Sequence, residues 1–258
     1  MASPIEGIAG GTMSSDTGTL YAIGVGPGDP DFLTLKALKI LKKIRFIFTA
    51  ASGEKKKSLA LTIALPHLKN KPEIIPLIFP MVRDKTILEE AWEKAALKVL
   101  SVLDKGEDAA FVTLGDPSTY STFTYLHRVL TQKRPEVNVQ IVPGITSFQA
   151  AAARVQIPLA EGEESLMIVS GAKGSTEIEK AIDCCDNMVI MKAYKYYRDI
   201  VDTLERLNLL DKTVAVRRIG LKGESVTNRL KEWDGQSPSY FTLLLTKKGN
   251  QAKKLDSD

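Results

Sequence analysis

Three short apolar runs each break into a glycine turn, and an amphipathic stretch follows each turn. Leu20–Val25 runs into Gly26-Pro27-Gly28, Ala109–Leu114 into Gly115-Asp116-Pro117, and Val137–Val142 into Pro143-Gly144. The first two are continuous and read as buried strands, and Val137–Val142 (VNVQIV) alternates like a strand. The stretch after the first turn places Leu33, Leu35, Leu38, Ile40 and Leu41 at helical spacing with lysines between them. Strand, glycine turn and helix in alternation restrict the chain to an α/β fold with a parallel sheet. Ligands of such folds gather beyond the carboxyl ends of the strands, where these turns fall.

The alternation continues along the chain. Further strands are expected at 45–49, 72–77, 165–169, 188–191, 213–217 and 240–246. Helices are expected at 58–65, 85–103, 123–132, 149–154 and 198–209. Asp29, followed by Pro30, and Thr34 are rival N-caps for the first helix. The run at 240–246 follows Pro238 with little helix before it, which points to an antiparallel edge strand in a second sheet. The chain's 258 residues suit two modest domains. Residues 1–18 are small and polar and read as a flexible leader, with Met13 a candidate natural start. The polar TQKRPEV segment suggests a first domain at 19–134 and a second at 135–250.

Composition removes several classes of function. Two adjacent cysteines, Cys184 and Cys185, make neither a disulfide framework nor a four-ligand zinc site, and two histidines argue against His-based metal centres. No apolar run approaches the roughly 18 residues of a membrane span. Lys+Arg 35 against Asp+Glu 31 leaves a net charge of +4, which accommodates an anionic ligand or a nucleic acid and demands neither. The chain contains no GxxxxGK[ST], HExxH, CxxC or GxSxG motif.

Each remaining motif has two readings. Gly24-Val25-Gly26-Pro27-Gly28 is either a tight turn or a backbone approach to a ligand. The third glycine of a dinucleotide fingerprint is missing, because residue 29 is aspartate, and the second strand ends in Thr49-Ala50-Ala51-Ser52 without an acidic ribose partner. Asp116 either caps its turn or accepts hydrogen bonds from a ligand. Thr146 or Ser147 either caps a helix or meets the same ligand. Gly171–Thr176 has the flavour of a phosphate loop with the wrong spacing and reads as a lysine-bearing surface loop. Arg217-Arg218, at a strand end, is either a surface pair or a bidentate carboxylate holder.

GVGPGDPDFLTLKAL, LGDPSTYST and VPGITSFQAAAA, in this order and spacing, resemble the tetrapyrrole (class III) S-adenosylmethionine-dependent methyltransferases over residues 19–247. Phe79-Pro80-Met81, Asp84, Leu88, Ala91-Trp92, Ser118, Tyr120-Ser121-Thr122 and Tyr194–Tyr197 resemble the precorrin-2 / cobalt-factor II C(20)-methyltransferases within that family. The resemblance implies two αβα domains with the active site in the cleft between them, a homodimer and a cytoplasmic location. It implies S-adenosyl-L-methionine as cofactor, with S-adenosyl-L-homocysteine as product, and an anionic tetrapyrrole as substrate. No metal ligand, nucleic acid or membrane is implied. Carried over residue by residue, the cofactor contacts are Gly115, Asp116, Thr119, Tyr120, Ser121, Thr122, Thr146, Ser147, Met191, Lys192, Ala193, Arg217, Arg218, Ile219, Thr242 and Leu243. Pro27 is the substrate contact so implied; Arg83, after Phe79-Pro80-Met81 and before the long helix at 85, is either a solvated helix-start charge or a holder of the substrate's carboxylates. No base for the methylated carbon's proton is assigned; His127 and Tyr120 are the residues weighed. The alternatives are another tetrapyrrole or RNA methyltransferase of the same fold, and an NAD(P) oxidoreductase.

Overall fold

The computed structural model describes residues 17–53, 58–69, 71–82, 84–233 and 239–249. Residues 1–16 of the expected leader, Arg83 and Pro238 lie outside them. Gly18 does not belong to a loose leader: its N–H donates to Leu103 O at 2.9 Å, and the next N–H, of Thr19, donates to Asp108 Oδ1 at 2.7 Å.

The described residues form two compact units, 17–25 with 33–144, and 26–32 with 145–249. The first holds β1 (Leu20–Gly24), α1 (Leu35–Leu41), β2 (Phe46–Ala51), α2 (Leu59–Ala64), β3 (Glu73–Ile78), α3 (Lys85–Leu103), β4 (Ala109–Thr113), α4 (Phe123–Lys133) and β5 (Val139–Val142). Its five strands are all parallel in the order β3-β2-β4-β1-β5. Alternate strand residues feed two cores. Leu20, Ala22, Phe48 and Phe111 pack with α3 and α4, while Ile23, Ile47, Ala110 and Val112 pack with α1 and α2. β4 is buried at all five positions, as a central strand covered on both faces must be. Phe48 and Phe111 are fully buried, and each contributes about 1.5–3 kcal/mol.

Both rival caps are used. Thr34 accepts from Ala37 N–H to start α1, and Asp29 accepts from Asp31 N–H to start a 3-10 turn at Pro30–Phe32. The expected break at 134/135 is displaced. TQKRPEV is the connection from α4 to β5, and β5 pairs with β1, so the first unit runs on to Gly144.

The second unit holds α5 (Ser147–Val155), β6 (Leu166–Ser170), α6 (Thr176–Ala181), β7 (Asn187–Met191), α7 (Tyr197–Arg206), β8 (Thr213–Arg217), β9 (Ser225–Thr227) and β10 (Thr242–Lys247). Its sheet has the order β6-β7-β10-β8-β9. β10 is antiparallel to both neighbours, as expected, but it is central rather than an edge; the described edges are β6 and β9. All six of its residues are buried, which suits a middle strand. One face packs on α6 and α7 through Met188, Ile190, Ala215 and Leu244. The other packs on α5 through Val189, Val214, Val216, Leu243 and Leu245, with Phe32 of the 26–32 segment against it.

Candidate functional site

In the first unit the parallel strands all end at one edge. The turns after β1, β4 and β5, which are neighbours in the sheet, meet there backbone to backbone. A Cβ added at Gly24 would lie 2.7 Å from Gly144 N, and one at Gly144 would lie 2.7 Å from Gly24 C. Gly115 has φ 64°, a left-handed conformation that glycine adopts without steric cost. Asp116 uses its carboxylate locally. Oδ1 accepts from Ser118 N–H at 2.8 Å, and Oδ2 accepts from Gly144 N–H at 3.0 Å, so one side chain ties the β4 turn to the β5 turn.

The rest of that loop leads into α4. Thr119 and Thr122 are half-buried. Ser121 is buried, its Oγ 2.9 Å from Thr113 Oγ1 and accepting from Phe123 N–H at 3.1 Å. Between them Tyr120 is held at φ 50° with 48% of its surface exposed. His127, one turn into the helix, stacks on Phe123 at 5.5 Å, and burial pushes its pKa down, which favours the neutral ring. Trp92 of α3 lies flat on Tyr125 of α4, centroids 4.7 Å apart, with the Arg128 guanidinium 5.3 Å from the Trp92 ring.

In the second unit β7 and β8 run in the same direction on either side of β10. Register pairs Thr242 with Arg217 and Leu244 with Ile190. The pairing gathers Met191, Lys192, Ala193, Arg217, Arg218, Ile219, Thr242 and Leu243 at one sheet edge. Lys192 has φ 57° and Arg218 φ 52°. Among the described residues, three other non-glycine residues have positive φ: Gln156 and Asn208 follow helix ends, and Lys71 precedes β3. Lys192 and Arg218 instead directly follow strands, and Tyr120 lies in the loop between β4 and α4; stored backbone strain of this kind accompanies binding sites.

Side chains of this second set differ from the expectation in one respect. Arg217 is not a surface residue. It is buried, with its guanidinium 3.8 Å from the Trp233 ring centroid and 5.8 Å from that of Tyr197, and burial lowers its pKa. Tyr197 is itself core, donating its hydroxyl to Leu230 O at 3.0 Å. Arg218 Nε donates to Lys222 O at 2.8 Å, Thr242 Oγ1 donates to Ser239 O at 2.7 Å, and Ala193, Ile219 and Leu243 are buried. Thr146 caps α5: its hydroxyl accepts from Gln149 N–H at 3.3 Å, and the Gln149 side chain accepts from Thr146 N–H at 3.0 Å. Ser147 is half-buried in the first turn of α5, and Pro27 is buried in the 26–32 segment.

The phosphate-flavoured Gly171–Thr176 stretch already holds an anion of its own. The Asp199 carboxylate accepts from Ser175 N–H at 2.8 Å and from its hydroxyl at 3.3 Å, with Gly174 at φ 79° beside it. α6 begins at Thr176, the last residue of that stretch.

The model of the Tetrapyrrole (Corrin/Porphyrin) Methylases matches residues 19–234. The chain is 45% identical over 173 residues to a Methanocaldococcus jannaschii protein named probable cobalt-precorrin-2 C(20)-methyltransferase, covering 67% of this chain and 71% of that one. It is 34% identical over 232 residues to the Salmonella typhimurium cobalt-precorrin-2 C(20)-methyltransferase, covering 90% and 97%. Among solved structures, a cobalt precorrin-4 methyltransferase superposes with TM-score 0.69 at 21% identity, covering 89% of this chain and 94% of that one. A Thermus thermophilus uroporphyrin-III C-methyltransferase complexed with S-adenosylhomocysteine gives 0.62 at 20% identity, covering 89% and 97%. The chain belongs to the tetrapyrrole methylase family.

Proposed function

We propose that this tetrapyrrole methylase transfers a methyl group from S-adenosyl-L-methionine to carbon 20 of precorrin-2 or cobalt-factor II in corrin biosynthesis. The observation that carries this reading is the 34% identity over 90% of the chain, and 97% of the relative, to a protein named for that reaction.

The residues at the two sheet edges fit the cofactor by the chemistry of their donors. They offer main-chain groups at strained turns (Tyr120, Lys192, Arg218) and the hydroxyls of Thr119 and Thr122, suited to a ligand with a nucleoside and an amino-acid end. When bound, S-adenosylmethionine supplies a sulfonium methyl that is already activated for transfer. The chain's own work is then to orient and to exclude water, and proximity of this kind contributes roughly 7–11 kcal/mol to such reactions. In this reading Gly115–Thr122 and the β7 and β8 ends hold the cofactor. Asp116 acts by fixing the Gly144 amide, and Thr146 by fixing the start of α5. Buried Pro27, with Arg83, falls to the tetrapyrrole side; Arg83 enters on the sequence alone. A homodimer and a cytoplasmic location belong to the same proposal.

The test is turnover of precorrin-2 and cobalt-factor II side by side, followed by mass spectrometry. Gain of a single methyl at carbon 20 is expected. Methylation at another carbon, or binding of NADH with no binding of S-adenosylhomocysteine in calorimetry, would overturn the assignment.

A further inference from the structure

We propose that Glu224 is a positioning residue that locks the loop after β8 to the glycine loop after β1. The inference rests on the assignment of Arg217–Ile219 to the cofactor. The loop is left-handed at three places, Arg218 (φ 52°), Gly220 (φ 70°) and Gly223 (φ 83°), and backbone carbonyls take several of its amides: Arg218 N–H donates to Phe241 O, Leu221 N–H to Arg218 O and Glu224 N–H to Leu221 O. The Gly220 amide goes to the Glu224 carboxylate instead. Oε2 accepts from Gly220 N–H at 2.7 Å, and Oε1 accepts from Arg154 Nε at 2.8 Å, at the end of α5.

Gly220 is the point at which this loop meets the other. A Cβ at Gly28 would lie 2.5 Å from Ile219 O and 2.6 Å from Gly220 C, and one at Gly220 would lie 2.6 Å from Asp29 N. The two backbones are therefore in direct contact within the second unit, next to Arg217–Ile219, which the proposed function gives to the cofactor, and next to Pro27, which it gives to the substrate. A carboxylate that fixes the Gly220 amide fixes the register between them. Charge-assisted bonds to backbone N–H are among the stronger hydrogen bonds. Arg154 is the lesser partner: its side chain is 61% exposed, so water screens that ion pair. No sequence signal marks the clamp, because a lone glutamate in GLKGES carries no motif.

The test compares wild type with Glu224→Ala, Glu224→Gln and Arg154→Ala. Glutamine keeps an acceptor for Gly220, and Arg154→Ala leaves the carboxylate in place. Glu224→Ala is expected to weaken S-adenosylhomocysteine binding in calorimetry about three- to tenfold and to raise the S-adenosylmethionine KM similarly. The other two variants should stay within about twofold of wild type. Hydrogen exchange supplies a readout free of activity: in Glu224→Ala, peptides covering 218–224 and 26–32 should exchange faster together. Unchanged binding in Glu224→Ala, an equal loss in all three variants, or faster exchange confined to 218–224 overturns the proposal. Failure of wild type to bind S-adenosylhomocysteine would remove the reading beneath it, and the inference with it.

Discussion

The two units shape the same kind of sheet edge by opposite means. In the first, the turns after β1, β4 and β5 take their form from missing side chains: Gly24, Gly115 and Gly144 let three backbones touch, and one carboxylate, Asp116, pins them. In the second, residues that do carry a Cβ, Lys192 and Arg218, are held left-handed, and side chains hold the neighbouring loops, Asp199 on Ser175 and Glu224 on Gly220. An edge built on sterics does not tolerate added atoms. An edge that also relies on side-chain clamps answers in addition to the loss of one acceptor.

The largest expected effect comes from adding one methyl group to the steric edge. In Gly144→Ala the new Cβ meets the Gly115 carbonyl oxygen and lies 2.7 Å from Gly24 C, all backbone that no rotamer change can move. Overpacking of this kind costs about 3 kcal/mol or more. For a chain of this size, the melting temperature should fall by about 6–12 °C. Gly53→Ala, where an added Cβ would meet nothing within 4 Å, is the control and should melt like wild type. Equal melting of both variants would dissolve the contrast between the edges.

Asp116→Ala comes next. It strips the acceptor from two backbone amides, Ser118 and Gly144, and should cost about 1–3 kcal/mol in urea unfolding. S-adenosylhomocysteine binding should weaken in the same variant, because the turn it fixes is the proposed cofactor loop. A variant that loses binding while unfolding like wild type would make Asp116 a ligand contact rather than a pin.

Much of this was readable in advance, and the unreadable parts share a cause. Lys85–Leu103 and Thr213–Arg217 match their expected spans because periodicity and burial are local signals. The glycine turns of the first unit were readable because glycine marks positions where a Cβ will not fit. The left-handed Lys192 and Arg218 leave no such mark, since lysine and arginine are ordinary surface residues elsewhere in the chain. The central place of β10 was hidden by its preceding loop and by Lys247, whose side chain is buried only because Glu161 and Glu164 pair with it. The crossing of 26–32 into the second unit depends on contacts between residues far apart in sequence, such as Gly28 with Gly220, and no window along the chain contains both.

Acid should separate the units further. Glu164 is held below its usual carboxylate range by the Asn187 side chain first and by Lys247 next. Asp186 is held low by Ser165, through its N–H and then its hydroxyl. A carboxylate depressed in the folded state stabilises above its unfolded pKa, about 4 for these residue types, and that contribution is lost as pH falls through the folded value. Both groups tie β6 and β7 at their starts. As pH falls below about 4, hydrogen exchange in β6 and β7 should quicken while β1 and β4 stay protected. Lys247→Met should shrink the acid loss, and the two proteins' stabilities should converge at the lowest pH. Uniform acid loosening of both sheets would remove this distinction.

The smallest effect should have the opposite sign to the first. Lys192 at φ 57° bears the cost of holding an L-residue left-handed, about 1–2 kcal/mol. Lys192→Gly removes that cost, and the more flexible unfolded chain offsets it by about 0.5–1 kcal/mol. The net gain is up to about 1 kcal/mol, a rise of about 2–4 °C or less in melting temperature. Lys192→Ala, which keeps a Cβ and therefore keeps the strain, should show no such gain. If Lys192→Gly stabilises the fold yet weakens S-adenosylhomocysteine binding, the left-handed turn is maintained for the ligand and not for the sheet. If it destabilises the fold, the Lys192 side chain is itself one of the clamps of the second unit, and the steric and clamped edges differ less at this turn than the backbone angles imply.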